Sequence, residues 1–411
     1  MIDTPSKSYC PRCGEPLPGD HAECPDCAAR AKGNGFTPQV VLLASFVLLA
    51  LLFVVTGFLA RMYHSREHQL ALQWTARGNA ALQGGMPGQA LDAFRSALVY
   101  SPSDRALQLR LAQALIDSNR VAEAQTYLLN LWQQFPGDGQ VNLELARISA
   151  RTGEVQDAVR YYQSAVYAVW RENSQQQRRQ VRRELCRYLL EQGQVTQAQA
   201  ELAGLVADTP VEDAEHRLEL ADLFLQASDP GHALEEFRLA LQSAPRQPAA
   251  LEGAGRAAFR IGDYRAAERY LARASQEGKL SSSGAALLGT AQQIQRSDPF
   301  LVGLTDAERA RRALAAFRQA LHRLQDCAAR RGVPLGASPP QTELQKTYAD
   351  ALDLQKRMAL RLLQRDPELL KQAMSEVLKI ENTTARECSA PAGLDEALLL
   401  IGKKHLGGGE Q

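Results

Sequence analysis

Outside one apolar block, this 411-residue chain has few runs of Val, Ile and Thr, and aromatics make up only 6% of it. That disfavours a sheet-rich fold, while the dominant Ala, Leu, Gln, Arg and Glu favour helix. Charge of one sign is also lacking. The 47 Lys and Arg face 46 Asp and Glu, so the chain as a whole has no basic footprint for nucleic acid. There is no GxSxG elbow, no P-loop and no HExxH, which removes the usual marks of a serine hydrolase, a nucleotide-driven enzyme or a zinc protease. The expectation is an all-α chain that is not an enzyme.

Cysteine is scarce, yet four of the seven crowd into YCPRCGEPLPGDHAECPDC, residues 9 to 27. Cys10 and Cys13 form one CxxC pair and Cys24 and Cys27 another, with ten residues between the pairs. Each pair sits on a Pro- or Gly-marked turn, so its two thiolates can point at one centre. Four thiolates at this spacing suit a structural Zn2+, because a closed four-sulfur shell leaves no position for water or substrate. The segment is poor in apolar residues, so metal binding has to supply most of its folding energy. Disulfide pairing fits a secreted miniprotein better than a chain with no cleavable leader. His21, between the pairs, reads as a solvated side chain. With all four ligand positions present, residues 1–32 resemble the zinc ribbons at the N-termini of many bacterial membrane-anchored proteins. As a nucleic-acid site the ribbon is poor: Lys7, Arg12, Arg30 and Lys32 face five acidic residues in the first 30.

Residues 39–60, QVVLLASFVLLALLFVVTGFLA, hold no charged side chain. At 1.5 Å per residue this stretch reaches about 33 Å, enough to cross a hydrocarbon core of about 30 Å. It follows a complete metal module and runs straight into Arg61, so it reads as a single transmembrane helix rather than a leader. Positive charge close to the span is balanced, with Arg30 and Lys32 before it and Arg61 and Arg66 after it. Cysteine chemistry breaks the tie, since zinc thiolates are safest in a reducing compartment. The expected topology is an inner-membrane protein with a cytoplasmic N-terminus and the remaining chain outside. His64 and His68, four apart just beyond the span, read as interfacial side chains.

The remaining 350 or so residues exceed one compact core, so several domains or a repeat array is expected. A 34-residue period is present. From Ala71, Trp74, Gly78, Ala81, Ala90, Phe94, Ala97 and Pro102 fall at offsets 4, 8, 11, 20, 24, 27 and 32. A unit from Arg105 repeats this with Ala112, Leu115, Ala124, Leu128, Leu131 and Pro136, and one from Gly139 with Ala146, Gly153, Ala158, Tyr162 and Ala165. There Trp170 stands in the place of proline, which predicts a second helix running on into the NSQQQRR insertion. Arg179 opens a fourth unit (Cys186, Leu189, Ala198, Leu202, Leu205, Pro210), Ala214 a fifth (Ala221, Phe224, Ala233, Phe237, Ala240, Pro245) and Pro248 a sixth (Gly255, Ala258, Gly262, Ala267, Leu271, Ala274).

Small residues at offsets 8, 20 and 27 let two antiparallel helices approach. Large ones at 4, 11 and 24 fill the space between pairs, and proline at 32 ends the second helix. The pattern resembles the tetratricopeptide repeat family in six consecutive units over residues 71–281. The resemblance implies a superhelical solenoid that binds a protein or peptide in its concave groove. A seventh unit, 282–331, has its second helix displaced by about twelve residues. Ala313, Phe317 and Ala320 reproduce the 20, 24, 27 spacing after SDPFLVGLTDAERARRA, with Thr305 or Asp306 as the predicted N-cap. Residues 341–405, with helices expected near 341–364 and 367–381, read as a C-terminal cap, and 406–411 as a disordered tail.

The family's groove-facing offsets carry Arg147 and Arg151 in the third unit, Arg183 and Arg187 in the fourth, and Arg256 and Arg260 in the sixth. Glu215 and Asp222 interrupt them in the fifth. These arginines are either ordinary solvated charges or a basic strip for an acidic peptide or chain carboxylate. Some family members grip a terminal carboxylate with Lys and Asn. Asn79 matches one such place, but Thr75, Gln140 and Glu144 stand where basic residues are needed.

Beyond the span only Cys186, Cys327 and Cys388 remain. Cys186, at offset 8, reads as a packed thiol. Cys327 and Cys388 either bond, closing about 60 residues at a gain of roughly 4 kcal/mol by loop entropy, or stay free thiols. Two functions fit: a membrane-anchored interaction scaffold with a zinc ribbon across the membrane, or a regulatory adaptor on the cytoplasmic side. The adaptor would be similar to lipopolysaccharide assembly protein B, which joins an anchor, tetratricopeptide repeats and a rubredoxin-like knuckle. There the knuckle follows the repeats, whereas here the span separates the two.

Overall fold

The structure is a computed structural model, and it describes residues 8–17, 24–31, 38–170, 173–210, 213–336 and 339–406. His21, Lys7, Lys32 and the tail beyond Leu406 lie outside the described residues. The chain forms two compact units, Met1–Leu128 and Leu129–Gln411. Among the described residues there is no β-strand, only two isolated bridges, Tyr9 with Pro16 and Asp138 with Val169.

In the first unit a short helix, α1 (Pro25–Ala31), follows Cys24. It is succeeded by α2 (Pro38–Gln83), 46 residues long. The apolar block and the first helix of the first repeat are thus one helix. No Pro or Gly lies between Ala60 and Gly78 to interrupt it, and every i to i−4 bond can be made. Within α2 the side chains of Phe46 and Phe53 stand largely exposed. The hydroxyls of Ser45 and Thr56 donate to Leu42 O and Leu52 O, each at 2.8 Å, so the polar groups of this stretch are satisfied within the helix. The lower part of α2 packs on α3 (Pro87–Tyr100), and α3 on α4 (Arg105–Asp117). α5 (Val121–Gln134) contains the division between the units.

The second unit continues with helix pairs. These are α6 (Gly139–Thr152) with α7 (Val155–Val166), α8 (Ser174–Glu191) with α9 (Val195–Asp208), α10 (Ala214–Gln226) with α11 (Pro230–Ser243), and α12 (Pro248–Ile261) with α13 (Tyr264–Glu277). The small and large repeat positions are its core: Ala146, Ala158, Cys186, Ala198, Leu202, Ala221, Phe237, Ala258, Ala267 and Leu271 are all buried. Close approach explains the smallest of them. A Cβ on Gly255 would fall 2.5 Å from Leu271 Cγ on the paired helix.

One position carries the turn between paired helices. Offset 15 has positive φ in all six units, at Gly85 (67°), Asn119 (59°), Gly153 (81°), Gly193 (69°), Ser228 (56°) and Gly262 (86°). The following N–H then reaches back to the carbonyl at offset 11, as in Glu154 to Ser149 (2.9 Å) and Asp229 to Phe224 (2.9 Å). This is the left-handed C-terminal closure of a helix, repeated so that each second helix leaves at a similar angle. Asp104, Asp138, Asp213 and Ser281 cap the first helices that follow.

Offset 4 departs from the expected bulky apolar filler in four units, where Gln108, Asn142 and two arginines stand. The arginines are Arg182 and Arg217, each facing a carboxylate at offset 23 of its own repeat: Glu201 at 3.3 Å and Glu236 at 2.6 Å. Arg217 also donates to Thr209 O and Pro210 O, so this buried cation has the partners that burial demands. The third unit's second helix does not run on into the insertion. It ends at Val166, and Trp170 folds back so that its indole N–H donates to Ala165 O at 3.1 Å. The ring lies over Gly139, where a Cβ would fall 2.5 Å from it. The polar residues from Ser174 lengthen α8 instead.

The last helix pair is α14 (Ser282–Ser297) with the 26-residue α15 (Asp306–Arg331), which is N-capped by Thr305. α16 (Glu343–Arg357), α17 (Leu360–Arg365), α18 (Pro367–Glu387) and α19 (Leu394–Leu406) pack around α15 and share one core with it. Two details depart from the sequence reading. The first stretch breaks at Met358–Ala359, and α18 runs on to Glu387, placing Cys388 at its C-cap. α19 adds a helix not anticipated separately. Its Ala397, Leu398 and Ile401 are buried, at a spacing that marks one apolar face.

Candidate functional site

The cysteine cluster is built by two turns. Tyr9 and Pro16 form a bridge, Gly14 N–H donates to Cys10 O at 3.0 Å and Cys10 N–H to Glu15 O at 2.8 Å, which folds the first CxxC into a knuckle. The second pair opens α1, where Cys27 N–H points at Cys24 Sγ at 3.4 Å. All four sulfurs lie within 4.8 Å of one another, and those of Cys13 and Cys24 are 3.6 Å apart. Zn–S bonds of about 2.3 Å in a tetrahedron require S···S separations of about 3.8 Å. The donor set and spacing are therefore compatible with zinc. The sulfurs perturb one another: the Cys27 thiol is pushed up to about 12, first by the Cys24 sulfur and then by Cys13. Backbone N–H groups, that of Cys24 foremost, bring Cys10 down to about 6. His64 and His68 follow the span on α2, and His64 Nδ1 faces Glu67 at 3.3 Å.

The first helices of the repeats touch one another directly, α8 with α10, α10 with α12 and α12 with α14, which puts them on the inner side of the second unit's stack. The six groove arginines lie on these helices, but not as a strip of free cations. Arg147 grips Glu184 of the next repeat with two parallel bonds of 2.8 and 2.9 Å, and also reaches Glu144 at 3.1 Å. Arg183 and Arg187 both pair with Glu219. Arg260 donates to Leu225 O at 2.7 Å, and Arg256 is the cation facing Asp222, whose carboxyl burial pushes up. Arg151 is exposed and makes no ion pair among the described residues. These arginines thus form a ladder with carboxylates set between several of them.

The ladder has a register. Offset 9 of one repeat meets offset 6 of the next: Arg147 with Glu184 and Arg187 with Glu219 in the second unit, and Asn79 with Arg110 (2.7 Å) in the first. The signal was present in the sequence, since Glu144, Glu184 and Glu219 share offset 6. Burial pushes the Glu184 carboxyl up, but Arg147 and the Tyr162 hydroxyl (2.9 Å) outweigh it and hold Glu184 below its ordinary range. Glu144 goes the other way, because burial there outweighs the pull of Arg147.

Cys327 of α15 and Cys388 are joined in a disulfide, with Cα atoms 5.9 Å apart. One turn before Cys327, Arg323 pairs with buried Glu381 of α18, lies 3.7 Å from Asp395 of α19 and donates to Ser389 O at 2.9 Å. Burial raises the Glu381 carboxyl to about 7 despite the arginine. Sequence reading missed this triad, as its three carriers are far apart in the chain. Cys186 is fully buried, and burial pushes its thiol up to about 12.

Profiles of the family described as tetratricopeptide repeat match residues 81–132, 109–175 and 184–248. No curated protein matches the chain. Among solved structures, a tetratricopeptide repeat protein from Parabacteroides merdae is 14% identical, covering 60% of this chain and 92% of its own, with a TM-score of 0.38. YrrB, described as having an unusual peptide-binding site, is 16% identical, covering 49% and 99%, with a TM-score of 0.38. The TPR2AB domain of yeast Sti1, in complex with pHSP90, is 14% identical, covering 55% and 99%, with a TM-score of 0.24. At such identities and scores, likeness to these structures carries no functional weight.

Proposed function

Starting from tetratricopeptide repeats that run through residues 81–175 and 184–248, we propose that this chain is a membrane-anchored interaction scaffold. It would hold a protein or peptide partner against the inner face of its repeats. The observation that carries the reading is α2. Its Val41–Gln83 portion is long and apolar enough to cross a membrane, its most apolar window is unburied, and it continues without a break into the first repeat. A continuous helix fixes the repeat array to the anchor, so a partner held by the repeats is held at the membrane. The face offered is alternately charged, with Arg147, Arg151, Arg183, Arg187, Arg256 and Arg260 interleaved with carboxylates.

Redox chemistry supports the proposed topology. A four-cysteine zinc ribbon needs free thiolates, whereas the Cys327–Cys388 bond persists in an oxidising compartment. A span between the two meets both demands when the N-terminus is cytoplasmic and the repeats lie outside. Bound zinc would hold the two CxxC turns together, and Cys10, Cys13, Cys24 and Cys27 would be its ligands. The same redox argument disfavours a cytoplasmic adaptor.

The test has two parts. Protease added to intact spheroplasts should digest residues after the span and spare the ribbon; the reverse pattern would overturn the topology. A photo-crosslinker placed at Arg151, on the inner face, should trap a discrete protein in native membranes, while one at exposed Arg238 on α11 should not. Equal trapping at both positions, or none at either, would refute the groove.

A further inference from the structure

We propose a second binding site, independent of the repeat groove: a pocket between α14, α15 and α19 that takes a carboxylate joined to an apolar group, the chemistry of an acidic peptide segment. The pocket has a volume of about 540 Å3, within the range of about 300–1,000 Å3 typical of ligand sites. Its wall carries Arg296, Arg312, Arg318 and His322 and no carboxylate side chain at all. In a chain with 47 basic and 46 acidic residues, such a local imbalance is a specific feature of the site.

The acids nearby are already committed. Glu308 pairs with Arg311 and Arg312, and Asp326 with His322 at 3.0 Å. Asp395 accepts from Gln319 at 3.0 Å and lies by Arg323, while Glu396 lies 3.4 Å from Thr290. Asp298 is buried and takes His405 at 2.9 Å together with Phe300 N–H. Arg312 has a structural task as well, donating to Gln295 O and Asp298 O at the end of α14. That leaves Arg296 and Arg318, both exposed and without a carboxylate partner among the described residues, as two planar cations at one pocket mouth. A guanidinium offers parallel N–H donors that match a carboxylate.

The apolar half of the site comes from α19. Leu398 is fully buried, whereas Leu394 lines the pocket and is about a third exposed, so a ligand side chain entering the pocket would cover Leu394 and rest on it as an apolar floor. A simple inorganic anion would use the rim and waste that floor. A peptide carrying a carboxylate next to a leucine-like side chain uses both.

The experiment takes the full chain in detergent and three labelled pentapeptides: one ending in Glu-Leu with a free terminus, the same peptide amidated, and an amidated Gln-Leu version. The free acid should bind the wild type at least about tenfold more tightly than the Gln-Leu amide, and the R296A/R318A double variant should lose that advantage. Because both arginines are exposed, the double variant should melt with the wild type, which separates lost binding from lost folding. Binding of the amidated Glu-Leu peptide as tight as the free acid assigns the acidic side chain as the recognised group; its loss assigns the chain end. Equal binding of all three peptides, unchanged binding by the double variant, or no binding by the wild type would overturn the site. These outcomes do not depend on crosslinking at Arg151, so the two readings can fail separately.

Discussion

Replacing Glu184 with Ala tests whether the inner-face arginines fasten repeats together. Glu184 accepts two bonds from Arg147 of the preceding repeat and one from Tyr162. Breaking a fully buried ion pair costs about 3 to 5 kcal/mol, while exposed pairs are worth about 0.2 to 1. The Arg147 and Glu184 side chains are 36% and 29% exposed, so solvent screening brings the estimate well below the buried limit. The Tyr162 hydroxyl, buried and left without an acceptor, adds to the cost. We expect Glu184→Ala to lower stability by about 2 kcal/mol. Glu184→Gln, which keeps an acceptor for Tyr162 and loses only the charge, should cost about 1. Urea unfolding of the detergent-solubilised chain, followed by far-UV circular dichroism, measures both. The sign with pH is fixed: the folded carboxyl is held below its unfolded value, so its contribution is present above about pH 4.3 and is lost as pH falls through the folded pKa. Wild type and Glu184→Gln should therefore converge in acid. If Glu184→Ala unfolds at the wild-type midpoint, or the gap to Glu184→Gln does not narrow in acid, these arginines are solvated charges and the ladder has no energetic role.

Metal analysis of the purified chain should give one zinc per molecule under reducing conditions, with the metal lost in Cys24→Ser; an unchanged content would refute the cluster as its site. Cys327→Ser should lower stability by up to about 4 kcal/mol from the 61-residue separation it opens, and peptide mapping of unreduced membranes should recover the linked pair; free thiols at both positions would move the repeats to a reducing compartment. Ser228→Gly should raise stability by about 0.5 to 1 kcal/mol, since Ser228 holds a φ of 56° that glycine adopts without strain; a destabilised variant would show that its side chain has a use the backbone does not explain. Glu381 binds its proton more tightly folded than unfolded, so stability should fall between about pH 4.3 and 7 and level off above. Glu381→Gln should remove that part of the slope in chemical unfolding, and a slope identical to wild type would refute the assignment.

The period of 34, the apolar block and the two CxxC pairs could be read from the sequence because each is set by short-range rules. Helix pairing needs small residues at fixed offsets, a membrane span needs an uncharged run of a certain length, and a zinc knuckle needs closely spaced thiols. The C-cap at offset 15 was equally local, yet it was hidden because Asn119 and Ser228 stand where four other units have glycine. What the side chains on the inner face do was decided only by tertiary structure. No single helix shows which carboxylate of the next repeat its arginine will meet, and it is the stacking of successive first helices that brings Glu184 to Arg147 and Glu219 to Arg187. The same holds for the C-terminal helices. Cys327 and Cys388, Arg323 and Glu381, and the arginines facing α19 are dozens of residues apart in the chain. Only the packing of α16 to α19 around α15 turns them into a staple, a buried triad and a cationic pocket, because charge and thiol chemistry act over a few ångströms and carry no trace of sequence distance.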